Sequence, residues 1–103
     1  MNNNMIRVIR NGKWTAIENT LEAFQEAVGG YIQTLTLFEG IVLVCDEESV
    51  LKGRAPSCNA LGCEIVGDWL LCGADGFEFT DLRPADWKAL RGLGLIKPIK
   101  ASA

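Results

Sequence analysis

The chain changes periodicity abruptly at Gly29-Gly30, and no other feature constrains its fold as tightly. Ahead of the pair, Leu21, Phe24 and Val28 stand at i, i+3 and i+7 with Ala27 beside them, the apolar stripe of an amphipathic helix, while Glu22, Gln25 and Glu26 face away. Asn19 followed by Glu22 reads as a capping box, so the helix begins near Thr20. The two glycines end it, because glycine enters the left-handed region without the steric cost of a Cβ. Beyond them Tyr31 to Phe38 is rich in Thr, Leu and aromatic residues, and Ile41 to Cys45 is an unbroken apolar run. Only Glu39-Gly40 separates the two, which predicts a hairpin pairing Phe38 with Ile41 and Leu35 with Val44. Ile41 to Val44 has no polar face, so it is expected inside a sheet covered on both sides.

The flanks extend this pattern. Met5 to Ile9 and Trp14 to Ile17 read as strands joined by the turn Asn11-Gly12. Asp46 to Leu61 has no periodicity and contains Gly53, Pro56 and Asn59, so it reads as a long loop. Cys63 to Leu71 returns to strand character, with Gly67-Asp68 as a tight turn or a bulge. As a tight turn it sets Cys63 opposite Cys72. Asp75-Gly76 marks a reversal before Phe77 to Phe79. Pro84 suits the first position of a second helix, with Asp86 favourable near its N-terminus and an end by Gly92. The segment Gly94 to Ala103 is expected to pack only in part. The fold class is therefore α+β: one domain with a small, mainly antiparallel sheet and one or two helices packed on it.

A chain of 103 residues, 49% hydrophobic and 22% charged, is suited to a single buried core. It has no apolar run long enough to span a membrane, and Met1-Asn2-Asn3-Asn4-Met5 lacks the basic-then-apolar pattern of a secretory signal, so a cytoplasmic protein is expected. The net charge of -3 is unevenly spread. Residues 14 to 51 carry Glu18, Glu22, Glu26, Glu39, Asp46, Glu47 and Glu48 and no Lys or Arg. Phosphate backbones are repelled by such a stretch and a basic protein surface is attracted, which points away from direct nucleic-acid binding and toward a protein partner.

Candidate chemistry is sparse. The chain has no histidine, which removes the commonest acid-base group and argues against an enzyme. Cys45, Cys58, Cys63 and Cys72 show no Cys-x-x-Cys spacing, so no metal and no cofactor is expected. Cys45, Cys63 and Cys72 border apolar runs and read as small buried residues, whereas Cys58, between Ser57 and Asn59, reads as the exposed thiol. Asp46-Glu47-Glu48 reads as a solvated turn, since adjacent carboxylates in extended chain diverge rather than converge on a cation. Trp69 and Trp87 are expected in the core. Trp14, beside Lys13 after a turn, is expected to be partly exposed and a candidate interface anchor.

The ordered set Asn19-Thr20-Leu21-Glu22, Phe24-Gln25, Val28-Gly29-Gly30-Tyr31-Ile32, Asp46-Glu47-Glu48, Pro56-x-x-Asn59 and Ile65-x-Gly67-Asp68 resembles the family called domain of unknown function 3846, over roughly residues 17 to 73. Members usually show Asn-Glu-Glu-Gly where this chain has Asp46-Glu47-Glu48-Ser49, and a leucine where it has Ala55. The resemblance implies a setting in phages, plasmids and integrated elements of bacteria, and no particular activity. In that setting the expected function is antagonism of a host defence protein, a nuclease or effector. The chain would bind it through Glu18, Glu22, Glu26, Asp46, Glu47, Glu48 and Trp14. The alternatives are a nucleotide-like ligand held by Arg54, Ser57 and Asn59, and a neutral interaction module of the mobile element. Self-association through an exposed strand edge, giving a homodimer, is a further expectation.

Overall fold

In the computed structural model, which describes residues 4–99, a six-stranded and a three-stranded sheet meet across a shared apolar core. The expected α+β class is found. The first hairpin, β1 (Met5–Arg10) and β2 (Lys13–Glu18), closes on Asn11 and Gly12, both at positive φ (51° and 90°), the turn this dipeptide favours. Helix α1 (Leu21–Val28) follows. Its cap is Thr20, whose Oγ1 accepts from the Ala23 amide at 3.1 Å, rather than Asn19, whose side chain instead donates to the Phe79 carbonyl. The helix buries Phe24, Ala27 and Val28, but Leu21, expected in the stripe, is exposed. Gly29, at φ 84°, is the left-handed cap.

The second hairpin joins β3 (Ile32–Phe38) to β4 (Ile41–Asp46). Phe38 faces Ile41 as expected, but Leu35 faces Leu43 rather than Val44, because an irregularity between Thr36 and Phe38 adds one residue to β3. The later strands are β5 (Pro56–Ala60), β6 (Cys63–Val66), β7 (Trp69–Asp75), β8 (Glu78–Thr80) and β9 (Ile96–Pro98), with α2 (Pro84–Gly92) before the last. The large sheet runs β2-β1-β7-β4-β3, with β8 also on β7, and the small one β6-β5-β9. All the pairings are antiparallel.

The two faces of the large sheet are covered differently. Val8, Val42, Val44 and Leu70 pack under α1. Ile9, Leu43, Trp69 and Leu71 pack under the small sheet and α2, against Cys58, Ala60, Ile96 and Trp87. Strand β4 is thus buried on both sides, which its unbroken apolar run requires.

Three expectations are corrected in the second half. Pro56 to Ala60, read as loop, is a strand: it makes a two-residue turn to β6 in which Leu61 and Gly62 both take positive φ (51° and 80°), and leucine carries no signal for such a turn. Gly67-Asp68 is neither a tight turn nor a bulge but the link by which the chain leaves the small sheet for the large one. Cys63 therefore pairs with Ala60, and Cys72 lies in a different sheet opposite Val42. Residues 96–98 are ordered as an edge strand on β5 with Ile96 buried, while 100–103 lie outside the described residues. No helix is long and apolar enough to cross a membrane among the described residues.

Candidate functional site

The acidic triplet following β4 divides into two roles. Asp46 is buried, and its carboxylate takes a hydrogen bond from Lys52 Nζ at 2.7 Å, lies 3.4 Å from Arg54 Nη1, and accepts from the Glu48 amide at 2.9 Å. It is corrected from surface group to buried anion. The Lys52 hydrogen bond is the main reason its pKa lies below the ordinary carboxylate value, with burial opposing. Both cations also reach the end of α1: Arg54 donates to the carbonyls of Val28 (2.6 Å) and Gly29 (3.2 Å), and Lys52 to that of Gly29 (3.0 Å). The helix has no basic residue in its own last turn, so these distant cations satisfy its orphan carbonyls and complement its dipole. Gly30 is required here because a Cβ on it would lie 2.5 Å from Asp46 Oδ1. The Gly-Gly pair and the acidic triplet, far apart in sequence, are two halves of one brace.

The brace holds the turn 47–53 against the helix end, with the Glu47 amide donating to the Tyr31 carbonyl at 3.0 Å. Glu47 and Glu48 stay exposed, and so do Glu18 at the end of β2 and Glu22 and Glu26 on the outer side of α1. Close to Glu47 and Glu48, on the same turn or at the residue whose carbonyl takes the Glu47 amide, stand exposed apolar side chains that the sequence reading passed over: Tyr31 (65% exposed), Val50 (74%) and Leu51 (84%). An apolar pair in an otherwise polar turn was the available signal. Trp14 is 42% exposed, as expected, but it lies beside Arg7 and Pro84 on the sheet face away from α1, so it is not gathered with these acids.

The ligand-loop residues are engaged internally. Arg54 belongs to the brace, Ser57 Oγ donates to the Gly67 carbonyl, and Asn59 is a half-buried member of β5 facing Glu64. Ser49, in the same turn, is buried with an unpartnered hydroxyl against Gly67.

On the face away from α1, a cleft of about 260 Å³ runs between β3 and β6, with Gln33 and Leu35 on one wall and Glu64 and Ile65 on the other. Glu47 stands at its rim. Among the described residues no three His, Cys, Asp or Glu side chains gather to hold a metal ion.

The cysteines reverse part of their expected order. Cys58 is fully buried and Cys63 is exposed, because β5 turns Cys58 into the core while Cys63 sits at the rim of the small sheet. Burial pushes the Cys58 and Cys72 thiols up to about 12, and burial followed by the neighbouring Asp46 charge raises Cys45. Iodoacetamide at about pH 8 is accordingly expected to modify Cys63 first on the native protein and to spare Cys58 and Cys72 until denaturant is added. Peptide masses of the adducts check this, and native labelling of Cys58 would contradict the packing.

No curated protein and no solved structure is significantly similar to this chain. The family described as domain of unknown function (DUF3846) matches residues 4–93, a span that takes in every element from β1 to α2, the brace and the cleft. The chain belongs to this family.

Proposed function

We propose that the chain is a non-catalytic binding module whose exposed acids Glu18, Glu22, Glu26, Glu47 and Glu48 dock on a basic surface of a partner protein. The observation that carries this reading is the company that Glu47 and Glu48 keep. Val50 and Leu51 are exposed on the same turn, which buried Asp46 braces, and Tyr31 is exposed where its carbonyl takes the Glu47 amide, so apolar anchors and acids stand together in one pre-formed arrangement at the end of the helix that carries Glu22 and Glu26. In the phage and mobile-element setting that the family resemblance implies, the partner is a host defence nuclease or effector in the bacterial cytoplasm. Its nucleic-acid-binding surface is basic and is blocked by mimicry of phosphate charge. The nucleotide-ligand alternative has less support, since Arg54 and Ser57 already donate to backbone carbonyls.

The test is the combined variant Glu22→Lys, Glu26→Lys, Glu47→Lys and Glu48→Lys, all at exposed positions. Against a panel of restriction and CRISPR nucleases, the wild-type chain is expected to inhibit at least one. The variant is expected to bind that target about 100-fold more weakly, as when several charge pairs across an interface are inverted. Inhibition that survives the reversal removes the reading.

A further inference from the structure

We propose that the cleft between β3 and β6 takes up an extended basic segment of a partner protein, which adds as a strand to the free edge of β3. Among the described residues β3 pairs with β4 alone and β6 with β5 alone, so each presents an unpaired row of backbone amides and carbonyls. Such edges are ordinarily guarded by charge or proline. Ile32-Gln33-Thr34-Leu35-Thr36-Leu37-Phe38 has neither, and its irregularity comes only after Thr36, which leaves the preceding stretch regular.

Charge selects the occupant. The residues lining the cleft include Glu47 and Glu64 and no Lys or Arg, and the nearest cations in sequence, Lys52 and Arg54, are held by Asp46. A second copy of this chain fits poorly: antiparallel pairing of two β3 edges about Leu35 sets Ile32 against Phe38, and so brings Glu39 of one copy toward Glu47 and Glu48 of the other. A peptide with Lys or Arg at its ends meets the same acids with opposite sign. In a strand added to β3, alternate side chains fall beside Gln33 and Leu35 and face Ile65 and Val66, so the central positions are apolar. The cleft lies on the sheet face opposite α1 and shares Glu47 and Val50 with the braced turn, but not Glu22 and Glu26 on the helix.

The probe is a fluorescein-labelled peptide, Lys-Val-Thr-Val-Thr-Val-Lys, titrated with the full chain and followed by anisotropy. Saturable binding at micromolar concentration is expected, with amide exchange slowed across Ile32 to Thr36. N-methylation of alternate peptide amides is expected to weaken binding about tenfold or more in at least one of the two phases, because strand addition depends on those donors. Glu64→Lys at an exposed position weakens it about tenfold, Glu64→Gln by less, and Glu22→Lys with Glu26→Lys leaves it unchanged. No binding up to about 1 mM overturns the proposal. So does equal binding of both N-methylated peptides, or binding that leaves β3 exchange untouched.

Discussion

Phe24→Ala is expected to lower the unfolding free energy by about 3–5 kcal/mol, the range for truncating a buried aromatic residue. The side chain is fully buried between α1 and the large sheet, and its ring stacks on that of Phe79 with centroids 4.8 Å apart and planes 24° from parallel. Truncation removes the transfer term, the aromatic contact and the filling of the space together. The effect is amplified by the length of α1, since eight residues do not sustain a helix without tertiary packing. Against a total of roughly 5–15 kcal/mol for a domain, this is a large share. Urea unfolding followed by tryptophan fluorescence reads it directly. A loss under about 1 kcal/mol would show that α1 is not anchored through this ring.

Asp46→Ala is expected to cost about 2–3 kcal/mol, somewhat below the range for breaking a fully buried ion pair, because Lys52 and Arg54 remain partly exposed and water recovers part of their solvation. The loss also frees the turn 47–53, which loosens Glu47, Glu48, Val50 and Leu51 together. The pH dependence follows from the sign of the shift. The folded-state pKa of Asp46 lies below its unfolded value of about 3.9, so its contribution is fully present above that value and is lost as pH falls through the folded pKa. Wild type should therefore lose stability on acidification from about pH 5 to pH 2 more steeply than Asp46→Asn. Parallel slopes in thermal melts across that window would show that the carboxylate charge does not stabilise the fold.

Much of the scaffold was legible because it is coded locally. Asn11-Gly12 announced a hairpin whose two residues do take positive φ, and Gly29 does cap the helix it was read to end. The unbroken run at Ile41 correctly implied a strand covered on both faces. The misreadings share a physical cause. Leu61 at positive φ hides the β5–β6 turn, since only the small sheet's packing compensates a leucine placed there. The extra residue after Thr36 shifts the β3 register without altering the alternation visible in sequence. Asn19 and Thr20 are both competent caps, and the choice between them was made by the Phe79 carbonyl, a group distant in the chain.

The candidate site was less legible than the fold. Glu18, Glu22, Glu26, Glu47 and Glu48 are exposed, whereas Asp46, a carboxylate next to Glu47 in the same run, is buried as a counterion. The acidic run by itself does not mark it as the buried member. What the sequence by itself determined is most of the elements up to Cys45 and the second helix, the first two antiparallel hairpins and the acidic excess of the middle of the chain, because turn chemistry, side-chain period and net charge act over a few residues. Only the tertiary structure decided which carboxylate is neutralised, that a lysine and an arginine from a later turn close the end of α1, and that β3 and β6 face each other across a cleft. Those outcomes depend on which segments meet in space, and burial sets the energy of each contact only once they have met.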